Sequence, residues 1–532
     1  MPELPDVARL VSSAAAERPD AVALVAAGER LTWAGLEDEV ARLATGLGRV
    51  GVVAGQRVLI ALGNRPELVT TYLGVLRAQA VAVPVNPAST SGELARMLAD
   101  SGARLAVADA TTLPAVRAAT DTVAQARAGH STELDDDLVR RSVPGRVVVV
   151  GEEPGPGELG LADLRADDTQ PVPALPDPDK LAALLYTSGT SGRPRAAMLT
   201  HRALSANLEQ VAAVEPPMMH ADDVVLGVLP LFHVYGLNAV LGGVLRHGCT
   251  LVLAERFDPQ QTLDLVEDEG CTVLPLAPAV FAHWREEPRL RERLAPVRLV
   301  LSGSAPLAAD TIDDFTARTG IPLHQGYGLT EAAPVVTSTL CSERLQPGSV
   351  GAALPGIEIR LVDTGGVAPE VEDAGEIEVR GPNLFSGYWP DGSGGPDADG
   401  WWATGDVGFL DDSGDLFLVD RVKELVVVSG FNVYPVEVEE VLAEVDGVAE
   451  VAVIGVPDEL TGEAVVAYVR APGADPALIA DAVRERCVER LARFKQPSRI
   501  EVVDELPLTV TGKVQKGRLR GLERRRVLGL LE

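Results

Sequence analysis

Tyr186-Thr187-Ser188-Gly189-Thr190-Ser191-Gly192-Arg193-Pro194-Arg195 is the densest signal in the chain. The apolar run at residues 181–186 leads straight into it and reads as a buried strand. The Ser/Thr/Gly loop that follows has the chemistry of an anion site. Small residues let backbone N–H groups approach a phosphate, and hydroxyls add donors. The spacing is not the Gly-x-x-x-x-Gly-Lys-Ser/Thr phosphate loop. By residue chemistry alone the stretch is either a generic phosphate-binding loop or a flexible surface turn.

Upstream, residues 36–50 and 66–80 show helical apolar spacing, and residues 57–62, 81–85 and 104–108 read as buried strands. Strands alternating with helices predict an α/β domain with parallel strands. Residues 121–180 are acidic and rich in Pro and Gly, which predicts a surface connection around one strand at 146–150. Downstream, strand signals resume at 224–229, 250–253, 272–276 and 298–302. Short Gly-punctuated strands at 357–362, 375–380 and 415–419 then predict an antiparallel β subdomain. After Asp420 the pattern becomes helix (435–443), strands (448–456, 464–469), helix (477–490) and strand (499–503), a small α+β unit. The expected division is a large domain at 1–420 and a small mobile one at 421–532.

Composition narrows the function classes. The 532 residues are 46% hydrophobic and 23% charged, which suits a globular chain with an ample core and excludes a disordered one. Asp and Glu number 77 against 47 Lys and Arg, a formal charge of −30. Such a surface repels phosphate backbones, so nucleic acid is not an expected partner. The acidity itself reads as solubility or as a habit of the source organism. Cys249, Cys271, Cys341 and Cys487 fit no zinc spacing and no disulfide scaffold, so free thiols and a cytoplasmic location are expected. The opening Met1-Pro2-Glu3-Leu4-Pro5-Asp6 lacks the features of a secretion leader. Residues 224–245 carry no Asp, Glu, Lys or Arg and are long enough to span a bilayer. Pro230 would break a helix there, so strand, turn and buried helix are expected instead of an integral membrane segment.

A second motif, Gln325-Gly326-Tyr327-Gly328-Leu329-Thr330-Glu331, sets an aromatic between glycines and ends in a hydroxyl and a carboxylate. A Tyr face can stack on a purine and a Glu can hold Mg²⁺. Alone, it could equally be a strand-end turn. Together, the two motifs resemble the first two signatures of the adenylate-forming superfamily of acyl-CoA synthetases, peptide-synthetase adenylation domains and luciferases. Trp402-Ala403-Thr404-Gly405-Asp406 resembles the next signature. Asp420-Arg421-Val422-Lys423-Glu424, leading to Val428-Ser429-Gly430-Phe431-Asn432-Val433-Tyr434-Pro435, resembles the hinge segment. Pro507-Leu508-Thr509-Val510-Thr511-Gly512-Lys513 resembles the C-terminal lysine motif. The matches fall in family order across residues 186–513.

The resemblance implies two half-reactions. A carboxylate attacks the α-phosphorus of ATP, giving an acyl-adenylate and pyrophosphate; a thiol then attacks the acyl carbon and AMP leaves. Two anions must meet in the first step, so the site must neutralise phosphate charge. By resemblance, Thr187, Ser188, Gly189, Thr190 and Gly192, with Ser191 in the same loop, cradle the β- and γ-phosphates. Thr330 bonds a phosphate, and Thr187 and Glu331 hold Mg²⁺. Gly303-Ser304-Ala305-Pro306 lines the adenine and acyl pocket, and Tyr327, in the Gln325–Gly328 run, stacks on adenine. Asp406 and Arg421 reach the ribose. Lys513 bridges the α-phosphate and the substrate carboxylate as a mobile point charge. The small domain swings around Lys423, and one pose presents Gly430 where a pantetheine arm enters. Each residue also has a plainer reading: a turn for Asp406 and Gly430, a solvated loop lysine for Lys513, a structural ion pair for Arg421, a helix-terminal charge for Glu331. One departure stands out. The family loop ends Pro-Lys-Gly, and here it reads Pro194-Arg195-Ala196, which keeps the charge on a bulkier planar group.

Pro230-Leu231-Phe232-His233-Val234-Tyr235-Gly236-Leu237 resembles the acyl-pocket segment of fatty acyl-CoA synthetases. His233 would sit near the carboxylate, unless it is a satisfied core histidine. Val234, Leu237, Ala305, Ala332, Ala333 and Pro334 are the small or apolar pocket candidates. No Asp is placed to hold an α-amino group. The expected substrate is a medium- or long-chain fatty acid, with an aryl acid of cinnamate type as runner-up. Coenzyme A is the expected acceptor, with a separate carrier protein as the alternative. A homodimer and peripheral membrane contact stay open, although no basic amphipathic helix supports the latter. A non-catalytic scaffolding protein and a luciferase-type oxidative enzyme are the competing classes.

Overall fold

The computed structural model describes residues 6–131, 133–170, 177–188, 194–304, 307, 309–346, 348–362, 375–421, 426–433, 435–507, 514 and 516–527. Two large sheets form its centre. The first has seven strands in the order Leu159–Gly160, Arg146–Val150, Leu105–Asp109, Arg57–Ala61, Val81–Pro84, Leu181–Ser188, Pro194–Thr200. All neighbours are parallel except the last pair, where Thr187 lies opposite Arg195. The second has nine strands, with a parallel centre from Leu323–Gly328 through Leu299–Ser302, Val273–Leu276, Val224–Gly227 and Thr250–Leu253 to Val22–Ala26.

These strands read as apolar runs because both faces are covered. In Arg57–Ala61, Val58 and Ile60 enter a core shared by the two sheets, whereas Leu59 and Ala61 enter a core on the far side. Val225 and Leu226 divide in the same way in the second sheet. Helices fill the space between the sheets: Trp33, Leu36 and Val40 of Trp33–Arg49, Tyr72 of Pro66–Arg77 and Leu204 of His201–Ala212 all lie in the shared core.

Glu358–Val362, Gly375–Arg380, Trp401–Leu410 and Leu416–Arg421 form the antiparallel sheet expected from their glycine punctuation. The chain leaves this sheet at Arg421 and enters the last one at Val426. There Gly462–Arg470 pairs antiparallel with Glu450–Asp458 and parallel with Arg499–Val503. Val465, Ala467 and Val469 pack on helices Pro435–Ala443 and Pro476–Arg490; Val466 and Tyr468 face Leu519 of helix Lys516–Val527.

The expectation for residues 121–180 needs correction. The described part of that stretch holds more than one strand on the surface. Helix Leu113–Arg127 runs into it and buries Val116, Ala119 and Val123, and helix Asp136–Arg141 starts on an N-cap in which Asp135 Oδ1 accepts from Leu138 N–H at 2.9 Å. Alanine-rich spacing at 113–127 is a helical signal that the neighbouring acidic, Pro-rich texture obscures. Residues 224–245 do fold as a strand and a buried helix. The helix opens as the π-helical turn Tyr235–Gly242 and continues as the α-helix Gly243–His247. No helix among the described residues is long and apolar enough to cross a membrane. All four cysteines are free thiols.

Candidate active site

A cavity of about 360 Å³ opens at the carboxyl ends of the parallel strands of the second sheet, where open α/β sheets bind ligands. Its wall draws on most of the regions that the motifs marked: Thr187 and Arg195 from the phosphate-loop hairpin, His233, Gly303 and Ser304, Gln325 to Glu331, Asp406 and Gly430. Those residues are up to 243 positions apart in sequence (430 − 187), so only the fold brings them together. Gly189, Thr190, Ser191, Gly192, Ala305, Pro306, Lys423 and Lys513 lie outside the described residues, as do the side chains of Ser188 and Arg421. The backbone of Arg421 pairs directly opposite Asp406 in the antiparallel ladder, so the two expected ribose contacts are cross-strand neighbours.

Tyr327 and Asp406 meet in the cavity. The Tyr327 hydroxyl donates to Asp406 Oδ2 at 2.7 Å, and the Tyr327 N–H is held by Thr337 Oγ1 at 3.2 Å. Asp406 is aimed from its own strand by Thr404, whose hydroxyl accepts from the Asp406 N–H and donates to the Ile377 carbonyl.

Glu331 sits on the short 3₁₀ turn Thr330–Ala332 and is 8% exposed. Three buried amides hold the backbone just after it. Asn383 Nδ2 donates to the Ala332 carbonyl at 2.7 Å, and Asn238 Nδ2 to the Ala333 carbonyl at 2.7 Å. Asn207 both donates to the Val335 carbonyl and accepts from its N–H. At the carboxylate, Tyr388 Oη donates to Oε1 at 2.6 Å. The Arg195 guanidinium lies 3.7 Å from the centre of the Tyr388 ring. A planar cation on a ring face is a contact that Arg makes better than Lys, which gives the family departure at this position a physical partner.

His233 is held from the other side. Buried Asn64 donates to the Gly227 and Leu229 carbonyls and accepts from the Leu231 N–H, fixing the strand end that carries His233 into the cavity. Burial pulls the imidazole pKa down to about 4, so the ring is neutral at neutral pH. Its Nδ1 accepts from the Tyr235 N–H at 3.4 Å, leaving Nε2 as the donor. Burial also raises the Tyr235 phenol, which stays protonated. The Tyr235 ring packs so closely on Gly303 that a Cβ there would lie 2.8 Å from Cε1, and any side chain at this position would have to displace the ring.

Beyond His233 the wall turns apolar: Val211, Met218, Met219, Val240 and Val335, with Val234 and Pro334 as expected. Leu237, Ala332 and Ala333 do not line it and pack in the shared core; on the π-helical turn Tyr235–Gly242 it is Tyr235, Ala239 and Val240 that reach the cavity. Gly430 closes the mouth with φ +81°, a left-handed conformation that favours glycine, and a Cβ added there would meet Ser304 Cβ at 3.4 Å. Tyr388, Met218, Met219 and the three clamping asparagines were not found from sequence. Ser386-Gly387-Tyr388 does repeat the glycine–tyrosine step of Gly326-Tyr327, a usable signal; isolated asparagines carry none.

The donors fit an ATP–Mg²⁺ complex. Thr187 and the Glu331 carboxylate line one cavity with oxygen donors, the ligand type a hard divalent cation takes. Among the described residues no cluster of three or more His, Cys, Asp or Glu could hold a metal, so an ion here would share its shell with phosphate and water.

The chain is similar to known proteins along most of its length. The sequence profile described as AMP-binding enzyme matches residues 11–389, and that of the AMP-binding enzyme C-terminal domain matches residues 437–513. The chain is 34% identical over 508 residues to 4-coumarate–CoA ligase 3 of Oryza sativa subsp. japonica, covering 93% of this chain and 87% of the relative. It is 32% identical over 526 residues to a long-chain-fatty-acid–CoA ligase of Bacillus subtilis (strain 168), covering 96% and 93%. Among solved structures, an amide bond synthetase from Marinactinospora thermotolerans superposes with TM-score 0.83 at 28% identity, over 97% of this chain and 99% of that one. The Mycobacterium tuberculosis fatty acyl CoA synthetase gives 0.68 at 29% identity, over 97% and 98%.

Proposed function

The chain belongs to the AMP-binding enzyme family of adenylate-forming ligases, and we propose that it activates an apolar-tailed carboxylic acid, a medium- or long-chain fatty acid, and passes it to coenzyme A. It is an acid–thiol ligase; enzymes of this kind use ATP and coenzyme A. The observation that carries the substrate reading is the division of one cavity. Its polar end holds Asp406, Tyr327 and Glu331, and its far end is lined by Val211, Met218, Met219, Val240 and Val335 with no charged side chain among them.

In this reading the acid lies with its tail among those apolar residues and its carboxylate near the Nε2 donor of neutral His233. A neutral donor there supports a carboxylate without neutralising it, so the oxygen stays nucleophilic toward the α-phosphorus. Asp406 accepts from the ribose hydroxyls, exchanging its bond with the Tyr327 hydroxyl, and Tyr327 backs the adenine. Thr187, Thr330 and the loop 188–192 receive the phosphates. Bound Mg²⁺, held by Glu331 and Thr187, supplies charge neutralisation at the phosphates. Lys513 closes the first half-reaction by bridging the two anions. The boundary at 420–423 is then a hinge, and residues 421–532 move as a body that exchanges Lys513 for Gly430 at the cavity. That Gly430 lines the cavity here supports reading this arrangement as the thiol-accepting pose. The reading also places the enzyme in the cytoplasm, where its free thiols and its substrate ATP belong.

An aryl acid is the second reading. Tyr235 presents a ring edge to Gly303 in the cavity wall, and the 4-coumarate–CoA ligase relatives take their name from such an acid. One panel decides: acid-dependent pyrophosphate release from Mg·ATP with fatty, aryl and amino acids, with and without coenzyme A, repeated with Lys513→Ala. Release with fatty acids, thioester only when coenzyme A is present, and a loss of at least about a hundredfold in the mutant are expected. Preference for a cinnamate-type acid would replace the fatty-acid assignment. Accumulation of acyl-adenylate without thioester would move the acceptor to a carrier protein, and no release with any acid would favour a non-catalytic binding protein.

A further inference from the structure

One buried cation joins the C-terminal unit to the large part of the molecule, away from the cavity. Lys495 lies on the 3₁₀ turn Arg493–Lys495 and is 8% exposed. Its Nζ donates to Glu437 Oε1 at 2.7 Å and to Glu93 Oε1 at 2.9 Å. Glu437 belongs to the first turn of helix Pro435–Ala443 in the same unit. Glu93 belongs to helix Ser91–Ser101 of the large part. Glu93 is aimed independently of its partner. Its Oε2 accepts from the Thr90 N–H at 2.8 Å while Thr90 Oγ1 caps the Glu93 N–H, a complete capping box.

A second contact crosses beside it. The ring of Phe232, next to His233, stacks on Phe431, next to Gly430, with centroids 5.8 Å apart and planes 10° apart. Phe431 in turn packs on Phe494, the neighbour of Lys495, at 4.7 Å. The Phe494-Lys495 pair therefore supports both crossing contacts, and Gly430, the neighbour of Phe431, lines the cavity. Truncating one partner of a buried charge pair is far costlier than losing an exposed one. Glu437 accompanies Lys495 wherever the unit goes; Glu93 does so only in this arrangement.

We propose that Glu93 and Lys495 are positioning residues for thiol capture: their bridge holds the C-terminal unit where Gly430 faces the cavity, and it opens when the unit swings to bring Lys513 in. This rests on the two-step reading above. It assigns the bridge to one half-reaction and not to the other.

Glu93→Gln is the cleanest probe, because Gln also serves the capping box and keeps the side-chain volume. Lys495→Gln and the double variant complete a cycle. Two measurements are made on the full chain. The first compares ATP–pyrophosphate exchange with single-turnover capture of the bound acyl-adenylate by coenzyme A. The second measures the distance between spin labels on Val53→Cys and Leu478→Cys, exposed positions on the two parts, with Cys341→Ser preventing stray labelling. Expected are one distance in the parent, a second distance in each single variant, capture slowed about tenfold with exchange within about twofold, and a double variant no slower than the worse single one. Unchanged distances in both variants, a broad distribution in the parent, or an equal fall in both half-reactions would overturn the bridge. If no acid supports exchange in the parent, the two-step reading fails, and the distances alone judge whether Glu93 and Lys495 hold the pose.

Discussion

At the residue scale the site is governed by side chains that hold other side chains. Tyr388 shows this most clearly. Its hydroxyl is bonded to Glu331 and its ring lies under Arg195, so one aromatic joins the exit of the phosphate loop to the carboxylate assigned to Mg²⁺. Removing the hydroxyl leaves the stacking and deletes the bond. Tyr388→Phe is expected to raise the Mg²⁺ concentration needed for half-maximal exchange about three- to tenfold, the scale of one hydrogen bond to a charged group, while the KM for the acid stays within about twofold. Magnesium titrations at saturating acid check this. Equal rises in both constants would mean that Tyr388 shapes the cavity generally and does not orient Glu331.

At the element scale the decisive piece is the turn that runs from Leu323–Gly328 through Thr330–Ala332 to Val335–Ser338. It has little regular structure of its own, and its carbonyls are satisfied by amides from three distant elements. Asn238 comes from the π-helical turn, which faces it inward between the Leu204 and Ala333 carbonyls at 3.1 and 2.7 Å. Asn238→Ala strands the Ala333 carbonyl in a buried setting, where an unsatisfied group costs about 1–3 kcal/mol, and removes the second bond to the Leu204 carbonyl, which keeps its partner within helix His201–Ala212. The expected result is about 1–3 kcal/mol of lost stability in denaturant unfolding, together with a raised KM for Mg·ATP. Lost stability with unaltered nucleotide kinetics would confine Asn238 to the core. The π-helical turn also explains why Leu237 does not line the cavity. Leu237 has helical spacing with Val234 and Val240, but a π-helical turn rotates side chains differently from an α-helix, and Leu237 goes to the core.

At the scale of the whole molecule, the apolar cores divide along the chain. The three cores of the large part contain no buried residue after Leu416, and the two cores of the small part contain none before Val426. The two parts meet through the Glu93–Lys495 bridge, the Phe232–Phe431 stack and the approach of strand Phe431–Val433 to Leu181–Ser188. Separate cores joined by a modest interface are the condition for one part to move against the other. A chain ending at Arg421 is therefore expected to unfold cooperatively on heating and to lose acid-dependent pyrophosphate exchange, since Lys513 is gone. Calorimetry and the exchange assay check both. A truncated chain that is unfolded would show that the interface does more than dock the small part.

The sequence by itself determined the family, the order of the motifs, the parallel α/β character of the large part and the small α+β unit after Asp420. Each of these rests on local chemistry: apolar runs that are buried wherever they fall, glycines that turn the chain, and short motifs whose residue types suit phosphate, ribose and divalent cation. The tertiary structure alone decided which apolar residues face the cavity, that Tyr388 holds Glu331, that three scattered asparagines clamp its turn, and that Lys495 reaches Glu93 across 402 positions. These are pairings between residues far apart in the chain. A local signature on one partner, such as the capping box at Glu93, does not name the other, because what selects the pairing is position in space.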